Sequence, residues 1–461
     1  MNWKTFSRFG LRVAMPVLLV LGSGSQLSAQ EAQYITLAKA VSIALEKNPE
    51  RKAALADAKA ASANVQQARA NLFPHVTFDE MATRGNDPVY VFGTKLRQQR
   101  FSAADFALGA LNTPAPFGNF ATRFGGTWSL FDSLASWRGL TRAELSKDAA
   151  THQLERADQE IAFRVIDSYY KVLLAAKQLE VTEQSLKTAQ AIEEQSRNRF
   201  ESGVAVESDS LSAKVRLATR QQERIRAQNN LALGRAGLAV AMGLSADGNV
   251  APEEPLTERT LPITPLEAAE NSALEHRPDL KRIASEEAAQ HESVSIAKSS
   301  FGPRVSAFAD WEADNPTLLA GRGGNNWLAG IDVQVDIFQG GAKRAALTRE
   351  QAIQEKVAAM KESAANGVRL EVRQAYYDLD SARQQLGVAR AAIAESQESL
   401  RINQNRYDAG LSTITDLLGA EETARRSQAD YWEAVYRYYT SYANLELASG
   451  TLSPESPVVK P

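Results

Sequence analysis

The sequence predicts a mainly α fold with a β-barrel section, built from duplicated long-helix hairpins plus four transmembrane β-strands per chain. Three observations predict it. A motif near the start of the chain recurs in the second half at constant offset, and a Pro-free stretch in the first copy carries a helical packing seam over about sixty residues. Period-two segments of membrane-crossing length occur in a chain whose only long apolar run is too short to cross as a helix.

The duplication comes first. Leu37-Ala38-Lys39-Ala40 through Ala44-Leu45-Glu46-Lys47-Asn48-Pro49 returns as Leu266-Glu267-Ala268-Ala269 through Ala273-Leu274-Glu275-His276-Arg277-Pro278, 229 residues later. The same offset carries Pro74 onto Pro303 and Val76 onto Val305. Further along the offset is 207, as Tyr169-Tyr170 fall on Tyr376-Tyr377, Gly203 on Gly410, Asp209 on Asp416 and Gly243 on Gly450. The first copy therefore holds 22 extra residues between Pro74 and Phe131. The expected boundaries are 30–246 for the first copy, 247–265 for a Pro-rich linker, 266–450 for the second copy and 451–461 for a loose tail.

From Leu140 to Phe200 no Pro interrupts the chain, and Ile161, Val165, Tyr169, Val172, Ala176, Leu179, Leu186 and Ala189 follow the 3/4 spacing of a packed seam. Such a helix is roughly 90 Å long, more than a globule requires. On the helices alone an ordinary coiled coil fits as well, so the strands decide.

From Trp327 to Ile337 the alternation is clean, with Trp327, Ala329, Ile331, Val333, Val335 and Ile337 on one face and Gly330, Asp332, Gln334 and Asp336 on the other. Thr122, Phe124, Gly126, Trp128 and Leu130 form the apolar face of the equivalent strand in the first copy. Upstream partner strands begin after Pro74 and Pro303, where proline stops a helix and turns the chain into extended structure. The strand hairpins span 75–131 and 304–338. Four strands cannot close a barrel when the smallest have about eight, and open edges are not tolerated in lipid, so several chains must share one barrel. The loops 85–119 and 315–326 then face outside the cell, the first as a partly structured surface loop.

The ends and composition agree with export. Lys4, Arg8 and Arg12 precede an apolar run from Val13 to Leu21 and the small-residue site Leu27-Ser28-Ala29, which reads as a signal peptide over 1–29. Removing those three basic residues takes the formal charge from −3 to −6, and nothing points to nucleic acid. The absence of Cys excludes disulfides, thiolate metal sites and a lipid-anchored cysteine. His75, His152, His276 and His291 are scattered, with no phosphate-binding loop or metal-spaced cluster, so no catalytic site, metal or cofactor is expected. The tyrosine pairs read as helix-packing residues.

The most specific local pattern is Arg199-Phe200-Glu201-Ser202-Gly203 followed by Asp209-Ser210-Leu211, repeated as Arg406-Tyr407-Asp408-Ala409-Gly410 followed by Asp416-Leu417-Leu418. Gly203 and Gly410 suit the left-handed turn that ends a helix, and Ser208 or Asp209, like Thr415 or Asp416, can cap the returning one. With the duplication, the Leu-xx-Ala…Pro openings and the Phe-Pro turn, these tips resemble the TolC-type outer membrane factor family, also called outer membrane efflux proteins, over nearly the whole mature chain.

The resemblance implies a homotrimer whose twelve strands form one barrel in the lipid of a Gram-negative outer membrane, with the helices continuing into the periplasm as an α-barrel. At the far end, hairpin tips form a gate and meet a periplasmic adaptor, or membrane fusion protein, coupled to an inner-membrane pump of RND, ABC or MFS type. Gly203, Leu211, Gly410 and Leu418 are the expected tip-turn and adaptor-contact residues. The family's gate link of a first-tip Asp with a second-tip Tyr is kept as Asp209 and Tyr407. Its second-tip Arg is Ser412 here, and of its acidic constriction Asp416 remains while the other Asp is Gly419. The expected function is a passive efflux duct for small toxic compounds or metals. The alternatives are the outer-membrane component of type I protein secretion and a periplasmic coiled-coil scaffold.

Overall fold

The computed structural model describes residues 33–318 and 324–460, so the expected signal peptide 1–29 and part of the expected external loop 315–326 lie outside the described residues. The duplication is carried element by element. Helices α1 (Leu37–Lys47) and α2 (Pro49–Ala70) recur as α7 (Leu266–His276) and α8 (Pro278–Ser299), each pair 11 and 22 residues long. The long helices α5 (Ala135–Glu201) and α9 (Ala342–Asp408) both have 67 residues, and the returning helices α6 (Glu207–Ala241) and α10 (Ile414–Ala448) both have 35. At 1.5 Å per residue the long helices run about 100 Å.

The opening segment of each copy is two helices rather than one, because Pro49 and Pro278 sit at the first position of α2 and α8, where a missing N–H costs nothing. Those breaks are packed by glycine. Gly243 and Gly450 end α6 and α10 at φ 76° and 74°, and a Cβ on Gly243 would lie 2.5 Å from the Asn48 Cα. No side chain fits there without moving backbone.

Pro74 and Pro303 stand between helix and strand, as the sequence predicts. Four strands form one antiparallel sheet in the order β2 (His75–Gly85), β3 (Phe117–Phe131), β5 (Arg304–Asn315) and β6 (Gly324–Gln334). One cross-strand row is Phe78, Phe124, Trp311 and Trp327, and the next, on the opposite face, is Asp79, Arg123, Glu312 and Asn326. The aromatic row packs ring to ring, with centroids 5.1 Å apart for Phe78 and Phe124 and 5.9 Å for Phe124 and Trp311. Arg123 and Glu312 form an ion pair at 2.6 Å on the polar face. Strand β6 stops at Gln334, short of the expected Ile337. The 22-residue excess is folded, with α3 (Pro88–Arg97), a 3₁₀ turn over Ala103–Phe106 and α4 (Leu108–Asn112).

The main core lies midway along the long helices. Tyr169, Val165, Ile166, Tyr439 and Val435 are buried there, and Tyr170 and Tyr439 stack at 4.8 Å with an interplanar angle of 7°. Each fully buried Val or Ile contributes about 1.5–3 kcal/mol. The tyrosine-packing expectation holds for Tyr169 and Tyr170, but Tyr377 is 60% exposed. The linker is ordered against this core. Its β4 (Val250–Pro252) pairs in parallel with β1 (Gln33–Ile35), and the backbone N–H groups of Arg259 and Leu261 donate to the Tyr439 and Tyr438 hydroxyls at 2.8 and 3.0 Å.

The tail is not loose. Leu452, Val458 and Val459 are buried, and the Tyr170 hydroxyl donates to the Val458 carbonyl at 3.2 Å. The apolar Val458-Val459 pair, unreadable as periodic structure, finds a cover in the tyrosine cluster.

Candidate functional site at the helical tips

Each hairpin turns on the expected glycine. Gly203 has φ 77° and Gly410 φ 73°. The Val204 N–H returns to the Arg199 carbonyl at 2.9 Å, and the Leu411 N–H to the Arg406 carbonyl at 2.7 Å, satisfying carbonyls the helix leaves free.

The returning helices start differently. Helix α10 opens with Thr413, whose hydroxyl accepts from the Asp416 N–H at 3.2 Å while the Asp416 carboxylate accepts from the Thr413 N–H at 3.0 Å. This reciprocal cap makes Thr413, not Thr415, the capping residue. Asp416 also accepts from the Thr413 hydroxyl at 2.7 Å and from Ser412 at 3.2 Å. These donors, the Thr413 hydroxyl foremost, hold its carboxyl below the ordinary carboxylate range. Ser412 thus supports the same carboxylate. Helix α6 starts at Val206 with no side-chain cap, so neither Ser208 nor Asp209 plays that part.

Tyr407 is buried, and its hydroxyl pairs with the buried Ser196 hydroxyl at 3.1 Å. Among the described residues no hydrogen bond joins it to Asp209, whose carboxylate is partly exposed. The expected Asp209–Tyr407 link is therefore not made within one subunit. The two hairpins are joined instead by Arg199, which donates to the Tyr407 carbonyl at 2.8 Å with its guanidinium 4.9 Å from the ring, and by Gln195, which donates to Asp408 at 2.5 Å. Tyr407 packs with Ile192, Ala213, Ile414, Leu417 and Leu418 in a small tip core. Leu418 is only 8% exposed, so it supports this core rather than facing a partner, whereas Leu211 and Leu411 are exposed. Leu418 sits one turn beyond Ile414 on the face that α10 turns inward.

Above the tips lies a buried ion cluster that sequence reasoning missed. Arg220 on α6 is 1% exposed and reaches Glu223 at 2.7 Å, Glu421 at 2.7 Å and Glu422 at 2.5 Å. Glu421, also buried, accepts from the Ser185 hydroxyl on α5. Arg425 pairs with Glu422 at 2.6 Å and, with Arg220, holds the Glu422 carboxyl down to about 2 despite partial burial. The carboxylates around Arg220 raise its guanidinium well above its ordinary value against the opposing effect of burial. The signal was present: Arg220 lies seven residues after the buried Ala213, on the same seam.

The chain therefore joins two hairpins of about 100 Å reach at two levels near one end and carries a four-stranded sheet at the other. A family model described as "Outer membrane efflux protein" matches residues 40–244 and 270–451, one segment for each copy. Outer membrane protein TolC of Escherichia coli is 23% identical over 96% of this chain and 88% of its own length. The alkaline protease secretion protein AprF of Pseudomonas aeruginosa is 22% identical over 94% of this chain and 88% of its own. Among solved structures, the outer membrane protein VceC of Vibrio cholerae superposes with a TM-score of 0.75 at 21% identity, covering 90% of this chain and 96% of that one. The chain belongs to the outer membrane efflux protein family and is a TolC-type outer-membrane channel subunit.

Proposed function

We propose that this chain is the homotrimeric exit duct of a tripartite efflux system, passive and without an active site, driven by an inner-membrane pump through a periplasmic adaptor. One observation carries the oligomer, whose count of three follows the family resemblance: the subunit has two free strand edges. Among the described residues strands β2 and β6 are unpaired on their outer sides, and unpaired edges are not tolerated in lipid. Below them, Ile225, Leu233 and Val240 on α6 and Leu370, Tyr377 and Val388 on α9 are exposed apolar residues. Three copies placed edge to edge give a twelve-stranded barrel and cover both seams with one rotation.

The tips supply the gate. The two hairpins of a subunit are stapled by Arg199–Tyr407 and the Arg220 cluster, which leaves Asp209 to act between subunits, while Asp416, held by Thr413 and Ser412, contributes its charge to the ring. With Ser412 and Gly419 in place of the charged residues of the family pattern, the ring has fewer locking contacts and less acidity. Leu211 and the two tip turns present the surface for the adaptor. The pump it serves is of RND, ABC or MFS type.

Protein secretion is the second reading, supported by the likeness to AprF. Deleting the gene and measuring toxicant sensitivity beside the secreted proteome separates the two. Sensitivity with an unchanged secretome supports efflux, and the reverse supports secretion. A water-soluble scaffold would instead leave the membrane fraction in buffer without detergent.

A further inference from the structure

The folded excess in the first external loop carries an inference beyond this assignment, though it rests on the channel reading. The two faces of the sheet differ in kind. The row of Phe78, Phe124, Trp311 and Trp327 suits lipid, which leaves the row of Asp79, Arg123, Glu312 and Asn326 to face the lumen. The contacts that fix the arm 86–116 to the sheet fall on this lumenal face.

Tyr90 shares a hydrogen bond of 2.8 Å with Thr83, which lies opposite Asn119. Arg97 donates to Glu312 at 2.8 Å, beside the Arg123 pair. Gln98 is buried and donates to the Asn119 side chain at 2.8 Å, and Asn119 donates to the fully buried Asp314 at 2.5 Å. Strand β6 is shaped for the arm at Gly324, where a Cβ would fall 1.7 Å from the Arg97 carbonyl oxygen. Only glycine allows that approach. The arm has its own support: Phe101 packs edge-on against Phe92 and Phe106 at 4.8 and 5.2 Å, and Lys95 pairs with Asp105 at 2.6 Å.

We propose that residues 86–116 form an inward-folded collar that narrows the external mouth of the duct. Three such arms, one from each subunit, make a second constriction far from the periplasmic tips. This collar admits small solutes and retards bulky polypeptide, which deepens the efflux reading toward small-molecule cargo.

The test uses the chain's lack of cysteine. Thr77→Cys places a thiol on the lumenal face deep to the collar, and Val89→Cys places one on the exposed side of α3. Intact cells are treated with a small maleimide or with one carrying a polymer too bulky for porins. The bulky reagent labels the Val89→Cys chain and spares the Thr77→Cys chain, while the small reagent labels both. In a further Thr77→Cys chain, residues 86–116 are replaced by Asn-Gly, a turn that closes β2 and β3 where Gly85 already pairs with Phe117. Labelling of the thiol at position 77 by the bulky reagent then rises to the level of the Val89→Cys chain, because the arm that excluded the reagent is gone. Tyr90→Phe with Arg97→Ala and Gln98→Ala keeps the arm and gives a smaller rise in the same direction. Free access of the bulky reagent to position 77 with the arm intact, or its continued exclusion after the arm is removed, overturns the collar. Failure of the bulky reagent to label the Val89→Cys chain overturns the outer-membrane reading instead.

Discussion

Arg220 is the side chain whose loss should loosen the tips most. It is 1% exposed, and Glu421 beside it is equally inaccessible, so Arg220→Met leaves a carboxylate buried without its cation. Breaking one partner of such a pair costs about 3–5 kcal/mol, whereas replacing both with neutral groups costs much less. Glu422 and Glu223 are about one-third exposed, keep their hydration, and add only about 0.2–1 kcal/mol each. The assay is amide hydrogen exchange along α6 and α10 in the detergent-solubilised oligomer. A loss of about 4 kcal/mol raises local opening roughly a thousandfold. Exchange near residues 213–224 and 417–425 should therefore accelerate in Arg220→Met, while the main tyrosine core stays protected. Arg220→Met with Glu421→Gln should recover most of the protection. Exchange in Arg220→Met within a few fold of the parent, or no recovery in the double variant, refutes the clamp.

Four further outcomes follow from the same geometry. Glu422 sits well below the ordinary carboxylate range, so its contribution is complete above that range and is lost as pH falls toward 2; tip protection should hold at pH 5 and fail between about pH 4 and pH 2. Glu446 is the opposite case: burial raises its carboxyl to about 7, so packing of the tail on α10 is firmest below pH 5 and weakens as pH rises through 7. Limited proteolysis of 451–460 at about pH 5.5 and pH 8 checks this, and Glu446→Gln should remove the difference. Thr413→Ala should destabilise the start of α10 by about 1 kcal/mol, and Val206→Ser should stabilise α6 by a similar amount, both read by exchange of the first-turn amides. Tyr407→Phe removes the partner of a buried Ser196 hydroxyl at a cost of about 1–3 kcal/mol, loosening the tip, and should raise single-channel conductance; Asp209→Ala should raise it too, because Asp209 is the carboxylate left to bond across the subunit boundary.

The frame of this molecule is legible because it is written twice. Two offsets predict the equal helix lengths and the glycine turns, and alternation predicts which strand faces carry Phe124 and Trp327. What escapes depends on contacts between segments distant in sequence. Arg220 reads as one more solvated charge until Glu421 and Ser185 arrive from helices about 200 and 35 residues away. The tail reads as loose because Val458 and Val459 have no period, yet Tyr170 and the linker give them a place to pack. Thr413 escapes notice as a cap because Asp209 and Asp416 invite a parallel between two tips that the structure makes unequal. The arm 86–116 can be counted but not placed, since its seat on the lumenal face is set by Gly324 on the far strand.

Free edges at β2 and β6, and at α6 and α9, should close against neighbouring copies in the outer membrane. The direct measurement is the subunit count of the chain extracted from outer membranes in mild detergent, by light scattering and by gel mobility before and after boiling. The predicted result is a particle of three chains that migrates as an oligomer unheated and as a monomer after boiling. A monodisperse single chain, or release of the protein into buffer without detergent, contradicts it.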